Sequence, residues 1–285
     1  MKVRPQFILL CGPTGVGKSR VPKEIFNLDE EAYTKLEIDS LIETNIIYTN
    51  TISTIIKNLG KKLILNIING QDKDKHILLT ELFNQLYFNV KKNIIPCNDK
   101  ESFSCEQLHD KHLAELLTKN KTIVLEINGD KDFRWLFVDS AINNILFTNK
   151  HRKLLREHYD ITICYLSHNY KSLLVSNKER FLESINNCNT TGCNVRLGNF
   201  LLPKIYTKTI DNLFKLYNEL LKTNFFETYQ VKTIFVERTS KNEYLKLNTF
   251  KEYKNSFQLR PTSRHKSIKG KRKTKTTKTT KTQKN

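Results

Sequence analysis

Apolar residues along this chain follow two alternating spacings. Runs of strand length, rich in apolar and β-branched residues, occur at 7–11, 34–38, 121–127, 159–166 and 230–236. Between them, apolar positions recur every three or four residues, as on one face of a helix. That spacing predicts helices over 21–26, from Leu41 onward, over 49–59, 76–91 and 105–117, from Trp135 onward, and over 169–185 and 203–221. In 76–91 the face is Ile77, Leu78, Leu82, Leu86 and Val90. The run 62–68 reads equally as an extra strand or a helical turn before Asn69-Gly70. Strands alternating with helices imply an α/β fold with a mainly parallel, five-stranded sheet. The block 49–119 is too long for one crossover and is expected to be an inserted helical segment. Beyond Lys241 the pattern fades, so residues 1–240 are read as one domain and 241–285 as an extension.

The first run leads into the loop Gly12-Pro13-Thr14-Gly15-Val16-Gly17-Lys18-Ser19, which fits G-x-x-x-x-G-K-[ST] in its required strand–loop–helix setting. Glycines let successive backbone N–H groups converge on one anion, and the following helix start adds its positive dipole end. Lys18 supplies a cation for the β- and γ-phosphates, and the Ser19 hydroxyl is a ligand for Mg²⁺. The ligands implied are ATP or GTP with Mg²⁺. Asp39 closes the second strand at the sheet edge where open α/β folds bind ligands. It reads either as a base facing a second substrate or as the cap of a helix beginning at Leu41.

Charge changes the picture only at one end. The 48 Lys+Arg against 29 Asp+Glu give +19, but eleven of the cations lie in 260–285, which has no acid. The first 259 residues therefore carry only +8. That low-complexity tail cannot bury a core and is expected to be disordered when free. It suits non-specific contact with nucleic acid, nuclear targeting through Lys271-Arg272-Lys273, or solubilisation. No apolar run is long enough to span a membrane, so a soluble protein of the cytoplasm, or of a host cell's interior or nucleus, is expected. Six scattered cysteines suit a reducing compartment. Cys11 and Cys164 read as buried thiols; Cys97 and Cys105 read as solvent-facing, with a zinc site alongside His109 and His112 as the lesser alternative. Cys188 and Cys193 could cross-link under oxidation. The sequence leaves oligomeric state open.

The order of parts from about residue 5 to 221 resembles the zeta toxin family of P-loop kinases. The matches are the loop Gly12–Ser19, the strand-end Asp39, the strand Ile123-Val124-Leu125-Glu126-Ile127-Asn128-Gly129, and the arginines Arg180 and Arg196. The resemblance implies ATP- and Mg²⁺-dependent transfer of a phosphoryl group to a small hydroxyl acceptor: a nucleotide-sugar, a nucleoside or a nucleotide. It assigns Asp39 as general base, Glu126 and Asn128 to the acceptor, and Arg180 and Arg196 as lid arginines on the ATP phosphates. Asn128 stands where the family usually has threonine, and the basic residue that commonly follows is shifted to Lys131.

Taken from the residues alone, phosphoryl transfer needs charge neutralisation and in-line positioning, which Lys18, Mg²⁺ at Ser19 and closing arginines would supply. Glu126 could orient the acceptor, hold the metal through water, or be a solvated strand end. The inserted helices could form part of the acceptor pocket. Two other readings compete. One is a nucleotide-gated nucleic-acid-binding protein without kinase activity, anchored by its tail. The other is a tRNA isopentenyl transferase-like enzyme, suggested by Gly12-Pro13-Thr14 and Asp39-Ser40. The Gln and Tyr that usually follow that Asp-Ser are missing here.

Overall fold

The computed structural model describes residues 4–70, 73–92, 96–97, 102–129, 131–140, 146–188, 203–240 and 242–257. In chain order the elements are β1 (Gln6–Cys11), α1 (Val21–Phe26), β2 (Thr34–Leu36), α2 (Ile38–Glu43), α3 (Ile46–Leu59), α4 (Lys61–Asn69), α5 (Lys73–Lys91), α6 (Cys105–Thr118), β3 (Ile123–Ile127), α7 (Asn149–His158), β4 (Asp160–His168), α8 (Tyr170–Asn187), α9 (Pro203–Lys222), α10 (Phe225–Thr228), β5 (Lys232–Arg238), β6 (Tyr244–Leu247) and α11 (Phe250–Ser256). The strands form one sheet in the order β2-β3-β1-β4-β5-β6. Pairing is parallel from β2 to β5, and β6 is added antiparallel to β5. The fold is therefore α/β and mainly parallel, with a sixth strand beyond the five expected.

Position in the sheet explains the sequence of each strand. β1 lies centrally between β3 and β4, and Phe7 to Cys11 are all buried, as a strand covered on both faces requires. Leu10 is paired with Glu126 and Cys11 with Tyr165, so the loop after β1 leaves the sheet beside the ends of β3 and β4. β2 is only three residues long. Ile38 and Asp39 have already turned into α2, so no helix begins at Leu41 and Asp39 is not its cap.

The expected inserted segment is present as helices α3 to α5 with α6, and the ambiguous run 62–68 is helix α4. Ile64 and Ile68, four residues apart, face a second hydrophobic cluster with Ile52, Ile56, Phe83 and Val90. Phe181 and Ile185 of α8 close this cluster, tying the segment to the sheet layer. Lys61 reinforces the tie by donating to the carbonyls of Asn186, at 3.1 Å, and Cys188. Cys97 and Cys105 are buried and joined by a disulfide, so they are neither solvent-facing nor zinc ligands. His109 is likewise buried, and among the described residues no cluster of three His, Cys, Asp or Glu could hold a metal.

Two expectations about the second half need revision. Trp135 does not open a helix: 134–136 form a single 3-10 turn, and the next helix is α7. The apolar residues there fill the core, with Phe133, Leu136 and Phe137 all buried. The chain beyond Lys241 also folds. Tyr253 of α11 is fully buried among Tyr165, Phe214 and Phe235, and Phe250 stacks on Tyr217 with ring centroids 3.9 Å apart. The basic tail 260–285, Arg196 and Cys193 lie outside the described residues. No helix among the described residues is long and apolar enough to cross a membrane.

Candidate active site

The C-terminal ends of β1, β3 and β4 open into a cleft of about 1150 Å³. The loop from Gly12 to Ser19 forms its floor. Gly15 and Gly17 have φ of +85° and +89°, a region that L side chains rarely adopt, so the two glycines make the tight turns possible. The chain leaves the loop through one 3-10 turn, Lys18–Arg20, before α1 begins. Pro22 accounts for part of this, because it has no N–H to bond back to Lys18. With α1 only six residues long, the anion-binding capacity of the site lies in the loop amides and Lys18 rather than in a long helix dipole.

Lys18 bends back over the loop, its Nζ donating to the carbonyls of Gly12 at 2.9 Å and Pro13 at 3.3 Å. Enclosure of the ammonium lowers its pKa; the carboxylates of Glu126, Asp39 and Glu37 act in the opposite direction. Three acids therefore face one enclosed cation across the cleft. Glu126 is buried at the end of β3, and burial raises its pKa while Lys18 opposes the shift. The Lys35 ammonium lies 2.9 Å from Glu126 Oε1, off the line of a hydrogen bond, and 2.8 Å from Glu37 Oε2. This ion pair fixes the carboxylate at the cleft wall. Burial works against the Lys35 charge, but Glu126 and Glu37 prevail and its pKa is raised.

Asp39 lies in the first turn of α2 and lines the same cleft. Its Oδ1 accepts from the hydroxyl of Tyr87, on α5. Asn128 also lines the cleft, and its Oδ1 accepts a long 3.4 Å contact from the Thr14 hydroxyl. Arg180 lines it from α8. The cleft thus gathers Lys18, Ser19, Asp39, Glu126, Asn128 and Arg180 from four separate stretches of chain. Arg196 falls outside the described residues.

Several residues at or behind the phosphate loop and cleft escaped the sequence analysis. Asn177 of α8, Arg238 at the end of β5 and Tyr244 of β6 all donate to carbonyls of the phosphate loop. Arg238 carried a usable signal, since it ends a parallel strand on the ligand-binding edge. His168, paired with Arg238 across β4 and β5, is a buried imidazole lining the cleft. Burial and the Arg238 charge lower its pKa. At the opposite end, Lys91 is nearly buried beside Lys131.

A loop with this sequence, placed after the central first strand of a parallel sheet ordered 2-3-1-4-5, defines the architecture. The fold is that of a P-loop NTPase. No family model matches the chain, and no curated protein matches it. Among solved structures, one from the PezAT chromosomal toxin–antitoxin system of Streptococcus pneumoniae is similar to it at 13% identity, with a TM-score of 0.46. That likeness covers 90% of this chain and 78% of the other.

The donor set suits a magnesium nucleotide. Mg²⁺ prefers hard oxygen ligands and keeps waters and substrate phosphates in its shell, so it does not need a cage of three protein ligands. The Ser19 hydroxyl lines the cleft together with the Glu126 carboxylate, whose Oε1 is held in the ion pair with Lys35.

Proposed function

We propose that this protein is a P-loop phosphotransferase that moves the γ-phosphoryl of ATP or GTP to a hydroxyl on a small acceptor. The reading rests on one juxtaposition: a phosphate loop with an enclosed lysine faces two carboxylates, Asp39 and Glu126, across a single cleft.

Lys18 and the loop amides hold the triphosphate, and Lys18 exchanges its carbonyl partners for phosphate oxygens when nucleotide enters. Ser19 would hold Mg²⁺, with Glu126 behind it through water; the ion, when bound, neutralises charge on the transferring group. Asp39 accepts the proton of the acceptor hydroxyl, with Tyr87 orienting the carboxylate. Arg180 reaches the cleft from α8, the position from which a closing side chain would neutralise phosphate charge. The acceptor occupies the side walled by the inserted helices, which carry Tyr87, Phe88 and Lys91 into the cleft. A nucleotide-sugar, a nucleoside and a nucleotide all offer the required hydroxyl.

The test is incubation with γ-labelled ATP and a metabolite extract, using wild type, Lys18→Ala and Asp39→Asn. Lys18→Ala should weaken nucleotide binding by tenfold or more, about the contribution of a charge-assisted contact. Asp39→Asn should keep binding and lose transfer by about a hundredfold or more. Normal transfer by Asp39→Asn would remove Asp39 from the chemistry. Absence of any magnesium-dependent nucleotide affinity would end the proposal.

A further inference from the structure

Three carbonyls of the phosphate loop accept hydrogen bonds from side chains outside the loop motif. Asn177 Nδ2 donates to Thr14 O at 2.8 Å, Arg238 Nη1 to Gly15 O at 3.1 Å, and the Tyr244 hydroxyl to Gly17 O at 2.8 Å. The three donors come from α8, β5 and β6, elements distant from the loop in sequence. Asn177 is itself buried and anchored, since its Nδ2 also donates to Leu173 O at 2.8 Å. Arg238 is braced through Nε to Ser240 O at 2.9 Å. Arg20, just past the loop, is hydrogen-bonded to Asn242 in the turn between β5 and β6.

The consequence follows from peptide geometry. Every peptide bond here is trans, so each C=O is antiparallel to the N–H of the next residue. Fixing the carbonyls of Thr14 and Gly17 fixes the amides of Gly15 and Lys18 in the opposite direction, and these are amides that the reading above gives to the triphosphate. The same applies to Gly15 and Val16, although the Val16 amide keeps a long 3.4 Å turn contact with Pro13 O. A glycine-rich loop could otherwise flip its peptides at little cost. The clasp removes that freedom.

We infer that Asn177, Arg238 and Tyr244 are positioning residues for the triphosphate, orienting the loop amides through their carbonyls; this rests on the reading above that the loop binds a nucleoside triphosphate. The β5–β6 hairpin is then part of the nucleotide site and not a peripheral addition to the sheet. Such preorganisation acts on affinity through the loop, because the loop need not be ordered at the moment of binding.

The experiment uses the full chain and measures affinity for MgATP and for inorganic tripolyphosphate by calorimetry, with melting followed in parallel. The variants are Tyr244→Phe, Arg238→Gln and the pair, with Arg238→Lys as the conservative change. Each single variant should bind MgATP about tenfold more weakly, as expected for one hydrogen bond in a preorganised site. The pair should lose more, and Arg238→Lys should recover part of the loss. Tripolyphosphate affinity should fall in parallel, because the effect passes through the amides. Three results would overturn the inference. One is a cooperatively melting pair variant that binds MgATP within threefold of wild type. Another is a lower melting temperature with unchanged affinity. The third is a loss for ATP without a loss for tripolyphosphate, which would place these side chains against base or ribose. Lys18→Ala, run alongside, separates this from failure of the nucleotide-binding reading. If wild type itself shows no affinity that depends on Lys18, that reading fails first.

Discussion

The Tyr87 hydroxyl donates to Oδ1 of Asp39 over 2.5 Å, joining the last turns of α5 to the first turn of α2. The inserted helical segment therefore reaches the proposed base itself. Burial, followed by the Asp39 charge, raises the Tyr87 pKa, so its proton stays in place at any ordinary assay pH. Tyr87→Phe keeps the ring and removes the donor. It should lower kcat by about tenfold, the effect of one lost hydrogen bond to a charged group, with ATP affinity within about twofold of wild type. Steady-state kinetics against both substrates checks this. A change confined to ATP affinity would contradict the assignment.

Gly15 and Gly60 both have positive φ, +85° and +77°, yet their surroundings differ. A Cβ at Gly15 would meet Asn177 Nδ2 at 2.5 Å, whereas nothing lies within 4 Å of one at Gly60. Gly60→Ala should cost only backbone strain, about 1–3 kcal/mol of stability, and leave nucleotide binding intact. Gly15→Ala adds a collision with the buried clasp residue and should abolish measurable MgATP binding. Melting curves and calorimetry on the two variants give the comparison.

What could be read from the sequence was local. Phe7 to Cys11 form an apolar run that reads as a buried strand, and the phosphate loop follows it in a fixed motif. Glu126 and the region of Asp39 were placed by strand ends. Where local pattern failed, tertiary context had decided the outcome. The run around Trp135 is apolar because Phe133, Leu136 and Phe137 plug the core, while the Asp132 carboxylate takes the Arg134 amide at 2.9 Å and sets a turn. In β6 and α11 the apolar positions Tyr244, Leu247, Phe250, Tyr253 and Phe257 were diluted by lysines that face water. The contacts of the clasp donors were invisible for another reason. Asn177 and Arg238 lie 163 and 223 residues from their loop partners, and nothing in local spacing encodes that meeting.

The disulfide between Cys97 and Cys105 closes a short loop at the start of α6. The Asn45 side chain, which caps α3, donates to the Cys97 carbonyl at 2.9 Å, so the bridge also steadies the entry to the inserted segment. A cross-link of this loop length should contribute roughly 2–3 kcal/mol by limiting the unfolded chain. Dithiothreitol should therefore lower the melting temperature of wild type. Cys105→Ser should melt lower from the outset and respond less to reductant, a difference that calorimetric scans in the two redox conditions would reveal.

Lys91 is the last residue of α5, 5% exposed at the rim of the acceptor side. Burial, and then the neighbouring Lys131 ammonium, lower its pKa to about 8; Glu106 and Asp39 act in the opposite direction. The Tyr87 ring lies beneath the ammonium, 5.9 Å from Nζ to the centroid. A folded-state pKa below the unfolded value near 10.4 means that folding favours the neutral amine. The penalty for charging Lys91 is absent above the unfolded pKa. It grows as pH falls from there and is complete below about pH 8. Lys91→Met should therefore raise the melting temperature at pH 7 by about 2–4 °C, the shift expected for roughly 1 kcal/mol in a domain of this size. The gain should shrink at pH 10, where wild type carries less of the penalty. An equal gain at both pH values would assign the effect to packing instead of charge.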